Sequence, residues 1–272
     1  MNRKVFFVSD RTGITVEALG ESLLTQFPGI KFERLRIPFV DSAEAARLAA
    51  AQIAAASEAD GVQPIVFSTL TDPEIRAIIR GTATFDLDLF GTFIEPLETA
   101  LEQDSTHSIG RMHGIVDVHA YERRLSALNY TLSHDDGLRI KDLSDADIVL
   151  LGVSRSGKTP TCLYLGMHYN LRAANYPITE DEYDEAALPP ILEAVRGRLY
   201  GLTIVPEQLS RIRRQRRPDG VYASLAQCRT EVTRTEALFR REGIPWLDTT
   251  TISIEEIAAT IVRDMNLRAA RR

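Results

Sequence analysis

Cysteine is scarce in this chain, since Cys162 and Cys228 are the only two among 272 residues. Two cysteines cannot make a disulfide framework, and free thiols are typical of proteins in a reducing compartment. Long hydrophobic runs are also missing, so no segment has the roughly 20 apolar residues that a transmembrane helix needs. The first residues, MNRKVFFVSD, have too short an apolar part for a signal peptide. We therefore expect a cytoplasmic protein that does not bind membranes.

Positive charge is in deficit as well. The chain has 32 Lys and Arg against 38 Asp and Glu, which gives a net charge of −6 and a pI of about 5.5. This balance argues against a general nucleic-acid-binding protein. The hydrophobic fraction of 44% and the charged fraction of 26% are those of an ordinary globular protein. The length suits one large domain or two smaller ones.

The most informative stretch lies in the second half of the chain. An apolar run at 148–151 has the length of a buried strand, and the residues that follow, GVSRSGKT, match the P-loop pattern G-x-x-x-x-G-K-[ST]. Apolar residues with helical spacing come next. Strand, glycine loop and helix are the order that a phosphate-binding loop requires. We therefore predict that nucleotide phosphates are bound by Gly152, Val153, Ser154, Arg155, Ser156, Gly157, Lys158 and Thr159.

Each part of this loop has a chemical reason. Gly152 and Gly157 allow the backbone to approach phosphate oxygens without a Cβ in the way. The N–H groups of the loop and the N-terminus of the following helix attract the anion. Lys158 is expected to reach the terminal phosphates, and the Thr159 hydroxyl is the predicted ligand of a Mg²⁺ ion.

Strand-like and helix-like segments alternate in both halves of the chain, which predicts an α/β fold with parallel sheets and helices on their faces. The segment 85–101 is the exception, because Gly91 and Pro96 interrupt its pattern. A turn signal, HDDG, precedes the P-loop series. We therefore predict an N-terminal parallel-sheet α/β domain over residues 1–135 and a C-terminal P-loop kinase-like α/β domain over residues 136–272.

Three carboxylates are candidates for general base or Mg²⁺ ligand. Asp10 follows the first strand, at the edge where open parallel sheets bind ligands, although it could equally cap the next helix. Asp135 and Asp136 lie just before the P-loop series, where a plain turn is the alternative. We expect the N-terminal domain to present a second substrate and to contribute Asp10.

An arginine run and one further aspartate complete the candidates. Five of the seven positions 211–217 carry arginine, namely Arg211, Arg213, Arg214, Arg216 and Arg217. Such a run forms either a solvated face or the mobile lid of a phosphoryl-transfer enzyme. On the lid interpretation, Arg213 and Arg217 are predicted to act in catalysis. Asp248 follows a short apolar strand and has a Walker-B-like position, but a loop leading into the last helix explains it equally well.

The absence of certain motifs argues against two classes of nucleotide-using protein. A GTPase would need the guanine-reading N-K-x-D, and a protein kinase of the common type would show H-R-D and D-F-G. None of them occurs in the chain. The residues therefore predict a P-loop phosphotransferase with an additional α/β domain. A small-metabolite kinase with a lid and a nucleotide-gated binding module without catalysis are the alternatives.

Several stretches together resemble a known bacterial family. GVSRSGKTPTCLYLGMHYNLRAANYPI, HDDG and YASLAQCRTEV look like the pyruvate, phosphate/water dikinase regulatory proteins, and the similarity extends from VSDRTGITVEALG to TISIEEIA. It covers nearly the whole chain, and the long P-loop block is highly specific. The sequence of these motifs looks closer to the branch that regulates phosphoenolpyruvate synthase. Arg11 departs from the pattern, which has glycine in the SD-x-T turn.

The resemblance implies a bifunctional serine/threonine kinase and phosphorylase. It would inactivate phosphoenolpyruvate synthase, its protein substrate, by phosphorylating a threonine with ADP as donor. It would reactivate that enzyme by transferring the group to inorganic phosphate and releasing pyrophosphate. The same chemistry on pyruvate, phosphate dikinase is the alternative within the family. The expected cofactors are ADP, inorganic phosphate and Mg²⁺, and the resemblance leaves a homodimer open.

Overall fold

The computed structural model describes residues 2–82, 84–106, 118–135, 142–179, 182, 188–217 and 220–267. The chain divides into two compact units, Met1–Gly114 and Ile115–Arg272. This division lies earlier than the boundary that we expected at residue 135. The reason is a helix, Val118–Ser133, which packs against the helix that follows the P-loop. A Cβ at Gly166 would lie 3.7 Å from the Ala127 carbonyl oxygen, which shows how closely the two helices approach.

The first unit alternates strands and helices. Its elements are β1 (Asn2–Ser9), α1 (Ile14–Leu24), β2 (Lys31–Ile37), α2 (Ala43–Asp60), β3 (Ile65–Thr69), α3 (Pro73–Arg80), β4 (Phe85–Asp88) and α4 (Gly91–Leu101). The four strands pair in parallel in the order β2-β1-β3-β4. Ser42 caps α2 by accepting a hydrogen bond from the Ala45 N–H group, and Asp72 caps α3 by accepting from the N–H groups of Glu74 and Ile75.

Residues of β1 are buried on both faces of this sheet. Phe6 and Val8 pack in a cluster with α2 and α3, whereas Val5 and Phe7 pack with α1. Because successive side chains of a strand point to opposite faces, helices must cover both sides. The continuous apolar run in the sequence is the consequence.

The second unit repeats this design around another parallel sheet. Its elements are α5 (Val118–Ser133), β5 (Ile148–Gly152), α6 (Lys158–Tyr169), β6 (Ala173–Pro177), α7 (Pro190–Glu193), β7 (Leu199–Thr203), α8 (Pro206–Arg216), α9 (Leu225–Glu242), β8 (Trp246–Asp248) and α10 (Ile254–Asp264). Short 3₁₀ turns occupy Arg196–Arg198 and Val221–Ala223. The strand order is β6-β5-β7-β8, so β5 lies inside the sheet and all five of its residues are buried.

Two clusters hold β5 in place. Val149 and Leu151 pack with α9, and Ile148 and Leu150 pack with α6 and α10. Ser253 begins α10 with a capping box, in which it exchanges hydrogen bonds with Glu256. The structure thus confirms the predicted α/β class, with helices on both faces of two parallel four-stranded sheets. None of the helices in the described part of the chain is long and apolar enough to cross a membrane.

One local expectation was wrong. The interrupted segment 85–101 contains both β4 and α4, and α4 accommodates Pro96 in its interior although proline removes one helical hydrogen bond. The segment 221–242 is mostly one helix, α9. A 3₁₀ turn comes first, and Ser224 then caps α9 by accepting a hydrogen bond from the Gln227 N–H group.

We predict that Gly201→Ala destabilises the second unit. A Cβ at Gly201 would lie 2.5 Å from the buried Phe239 ring, which packs directly on β7. Overpacking of this kind should lower the free energy of unfolding by about 1–3 kcal/mol, measured by urea denaturation. Gly197→Ala is the control, because a Cβ there would meet no atom within 4 Å. Equal stability of the two variants would contradict this packing.

Candidate phosphate-binding site

The predicted P-loop lies between the carboxyl end of β5 and the start of α6. Gly152 has a φ of 148°, and a Cβ there would lie 2.3 Å from the Leu202 carbonyl oxygen on β7. Gly157 has a φ of 92° and is the N-cap of α6. Both glycines are therefore required by the backbone. The strand, loop and helix that the motif predicts are all present.

Lys158 lies across this loop instead of extending into solvent. Its Nζ atom donates hydrogen bonds to the carbonyl oxygens of Gly152 and Val153, both at 2.8 Å. The side chain is 4% exposed, yet it also lines the cavity above the loop. The buried ammonium group is held against two carbonyl groups and lies where it would contact a phosphate bound at the start of α6.

Side chains from outside the motif bind two further carbonyl groups of the loop. The Nη2 atom of Arg213, on α8, donates to the Ser154 oxygen at 3.1 Å. The Thr249 hydroxyl, just after β8, donates to the Ser156 oxygen at 3.0 Å. The loop is therefore held by residues that lie far from it in the sequence.

A cavity of about 200 Å³ opens above the loop. It is lined by Ser154, Arg155, Gly157, Lys158, Thr159, Pro160 and Asn175. The N-terminus of α6 adds the partial positive charge of a helix start, and Arg155 and Lys158 contribute two full charges. Positive potential, backbone N–H groups and a concave shape together suit a phosphate group.

Asp135 reaches the P-loop threonine. Its Oδ1 atom accepts hydrogen bonds from the Thr159 hydroxyl and from the Asn175 side-chain amide, each at 2.8 Å. The Asn175 amide also donates to the Thr159 oxygen at 3.0 Å. The backbone of the same segment is attached to β6, because the Asn175 N–H group donates to the His134 carbonyl at 3.1 Å. A carboxylate, a hydroxyl and an amide thus meet at the start of α6.

Arg213 does not lie on an exposed lid, which corrects the lid interpretation for this residue. Its side chain is fully buried, and it pairs with Glu231 of α9 through Nη2···Oε2 and Nη1···Oε1 distances of 2.6 and 3.0 Å. Burial alone would lower the pKa of Arg213, but the hydrogen bond and the charge of Glu231 raise the pKa above its ordinary value. Arg217 is exposed at the end of α8, and its catalytic role stays a prediction.

Asp10 lies in the first unit at the carboxyl end of β1, the predicted sheet edge. It is 6% exposed, and its Oδ2 atom accepts from the Thr71 hydroxyl at 2.8 Å and from the Thr71 N–H group at 3.2 Å. Gly13 takes the left-handed conformation in this turn, whereas Arg11 does not, so the turn accommodates a side chain at residue 11. Asp136 lies outside the described residues.

The Asp248 side chain stabilises the turn that follows it. Its Oδ1 atom accepts from the N–H group and the hydroxyl of Thr250, at 2.9 and 2.5 Å. It is the last residue of the edge strand β8, and β7 separates that strand from β5. The loop leading into α10 is therefore the better of the two interpretations.

Sequence reasoning did not single out Asn175, Glu231 or Thr249. One signal was available, since Asn175 is a polar residue within a buried strand and is 2% exposed. Glu231 and Thr249 carried no such signal, because a charged residue in a long helix and a threonine in a loop are ordinary at the surface.

Comparison with known proteins identifies the family of the chain. The family model described as kinase/pyrophosphorylase matches residues 5–262. A protein of Halorhodospira halophila is 54% identical over 261 residues, which cover 96% of this chain and 95% of its own. Proteins of Azoarcus sp. and Hahella chejuensis are 52% and 50% identical, over 97% and 96% of this chain and 96% of their own lengths.

All three relatives are provisionally named phosphoenolpyruvate synthase regulatory protein. The family model and the relatives both extend over nearly the whole chain, so the match includes the P-loop, Asp135 and the first unit alike. The chain therefore belongs to the kinase/pyrophosphorylase family.

Proposed function

We propose that the chain is a bifunctional ADP-dependent serine/threonine kinase and phosphate-dependent phosphorylase that acts on phosphoenolpyruvate synthase. The observation that carries this proposal is the P-loop with Lys158 across it and Asp135 bound to Thr159. The family description pairs a kinase with a pyrophosphorylase, and the names of the relatives supply the target.

In the kinase direction, a threonine hydroxyl of the target attacks the β-phosphorus of ADP. A bond forms between that oxygen and the phosphorus, and the bond from the phosphorus to the oxygen bridging to the α-phosphate breaks. AMP leaves with the bridging oxygen, and the hydroxyl proton passes to a carboxylate, for which Asp135 beside the loop is the candidate. Backbone N–H groups of the loop and Lys158 would hold the phosphates throughout.

The residues at the start of α6 also suit Mg²⁺. A hydroxyl and a carboxylate oxygen are hard ligands, and Mg²⁺ is usually held by one or two carboxylates together with substrate phosphates. Thr159 would hold the ion through its hydroxyl oxygen, and the ion would neutralise charge on the phosphates. Within the described ranges, no group of three or more His, Cys, Asp or Glu side chains could form an all-protein metal site, which agrees with an ion shared with substrate.

In the phosphorylase direction, an oxygen of inorganic phosphate attacks the phosphorus of the phosphothreonine. The bond from phosphorus to the threonine oxygen breaks, the threonine oxygen takes a proton, and pyrophosphate is released. This reaction needs two neighbouring anion sites. The loop supplies one site. The exposed arginines of the run support a second site, because in the described part of the chain they have no carboxylate partner within 4 Å. These arginines are Arg211, Arg214, Arg216 and Arg217.

Transfer of the β-phosphate of ADP tests the whole proposal. ADP labelled at the β-phosphorus is incubated with the chain and purified phosphoenolpyruvate synthase, and we expect label on a threonine of the target. Added inorganic phosphate should then release labelled pyrophosphate. Label on pyruvate, phosphate dikinase instead would favour the other branch, label on a small molecule would favour a metabolite kinase, and no transfer at all would favour a binding module.

Lys158→Met should weaken ADP binding and stop both reactions. The variant keeps most of the aliphatic stem but removes the charge, and one hydrogen bond to a charged group is worth about 1.5–3 kcal/mol, or roughly 10- to 100-fold in affinity. Calorimetry with ADP measures the loss. Lys4→Met is the control, because Lys4 pairs with Asp60 in the first unit. Normal ADP affinity and activity in Lys158→Met would refute the role.

Asp135→Asn should slow transfer in both directions by about 10²–10⁴-fold, the range for loss of general base catalysis. Asparagine keeps the oxygen that accepts the Thr159 hydroxyl but lacks a basic oxygen, so ADP binding measured without Mg²⁺ should remain. Transfer to the target is followed with labelled ADP.

Asp10→Asn is the matched comparison, because Asp10 also accepts a threonine hydroxyl, that of Thr71. The predicted contribution of Asp10 to catalysis is measured by the same assay. A larger loss of transfer in Asp10→Asn than in Asp135→Asn would move the base from Asp135 to Asp10.

A further inference from the structure

Arg213 makes more polar contacts than an ion pair alone requires. Besides Glu231, its guanidinium donates to the carbonyl oxygens of Ser154, at 3.1 Å, and Tyr222, at 2.9 Å. The group also lies 4.2 Å from the centre of the Tyr222 ring. The planar guanidinium has five donors in a fixed arrangement, and three separate segments use them.

Stability alone is a weak reason to bury this pair. Removing two charges from water is costly, and hydrophobic residues of similar volume often replace a buried pair without loss. Arg213 is fully buried, and the Glu231 side chain is 15% exposed. The contacts that a hydrophobic pair could not replace are those to the carbonyl oxygens of Ser154 and Tyr222, and the first of these belongs to the P-loop.

Peptide geometry connects this carbonyl to the anion site. In a planar trans peptide, the C=O group of one residue and the N–H group of the next point in opposite directions. A guanidinium that holds the Ser154 oxygen therefore directs the Arg155 N–H group away from α8. Arg155 has a φ of 77°, the left-handed conformation, and an alternation of right- and left-handed residues forms anion-binding nests.

Tyr222 braces the same residue from a second direction. Its hydroxyl lies 3.1 Å from the Ser154 Oγ atom, while its carbonyl accepts from Arg213. Ser154 is therefore held through both its main chain and its side chain. The 3₁₀ turn Val221–Ala223 is thus connected to the P-loop both through Arg213 and directly through the Tyr222 hydroxyl.

We propose that Arg213 and Glu231 are a positioning pair, which fixes the Ser154–Arg155 peptide so that the loop presents its N–H groups to the phosphates of ADP and to pyrophosphate. Arg213 acts through the loop and does not touch the phosphates. The proposal rests on the proposed function for the identity of the ligand, whereas the orientation of the peptide is independent of it.

Two variants separate positioning from stability. Arg213→Met leaves Glu231 without its partner, so we expect a lower melting temperature and ADP affinity at least about tenfold weaker, the factor for one lost hydrogen bond. The double variant Arg213→Met, Glu231→Met removes both charges but still leaves the carbonyl oxygens of Ser154 and Tyr222 without this donor. We expect it to recover part of the lost melting temperature but not the ADP affinity. Inorganic pyrophosphate serves as a second probe, because it contacts the phosphate site without an adenosine.

Arg196→Met is the matched control. Arg196 also binds two carboxylates, Glu193 and Glu242, and a carbonyl oxygen. It lies just before β7, at the amino edge of the sheet, whereas the P-loop lies at the carboxyl edge. Its replacement should leave the affinities for ADP and pyrophosphate within about twofold of the wild type.

Recovery of both melting temperature and affinity in the double variant would overturn the proposal, because Arg213 would then be purely structural. Hydrogen exchange of the P-loop amides decides the case independently of nucleotide binding. We expect faster exchange at residues 153–157 in the double variant, and unchanged exchange would also overturn it. If the wild type binds neither ADP nor pyrophosphate, the proposed function fails, and hydrogen exchange still tests the positioning.

Discussion

A loop that offers its N–H groups to an anion must bind its carbonyl oxygens elsewhere, and this constraint organises the second unit. Every buried backbone carbonyl needs a partner, and a phosphate cannot be one. Here Lys158, Arg213 and Thr249 bind carbonyl groups of the loop. Two of these donors come from the segments that follow β7 and β8. Those segments therefore belong to the site although they lie far from the motif in sequence.

The sheet explains why such distant segments meet. In a parallel sheet, the loops after all strands emerge at the same edge. With β5 inside the order β6-β5-β7-β8, its loop has neighbours on both sides. The segment after β7 leads to Arg213, the segment after β8 carries Thr249, and β6 itself carries Asn175. Strand order thus fixes which residues can support the loop.

Much of this arrangement could be predicted from local sequence, and the remainder could not. The P-loop could be predicted because two glycines, a lysine and a threonine at fixed spacing have one physical use. The burial of Arg213 was not, because an arginine run is usually solvated. Its partner Glu231 lies 18 residues away, and only the packing of α8 against α9 brings them together. The prediction for the segment 85–101 failed because a short strand and a helix containing proline both lack a clear hydrophobic period.

The carboxylate beside the P-loop threonine does not come from a strand or from a loop that follows a strand. Asp135 arrives from the end of α5, outside the sheet, and is attached to β6 through the contacts of Asn175 and His134. Its placement therefore depends on the packing of α5 on α6. That packing also explains why the second compact unit begins before α5.

Under the proposed function, the two reactions make unequal demands on this site. ADP can be held by its adenosine as well as its phosphates, but inorganic phosphate offers four oxygens and nothing else. The phosphorylase direction thus depends entirely on the phosphate contacts, and a flexible loop would lose affinity for so small a ligand through the entropy of ordering. The side chains that hold the carbonyl groups of Ser154 and Ser156 reduce that cost before any ligand arrives. Rigidity of the loop should therefore matter more for the removal of the phosphoryl group than for its addition.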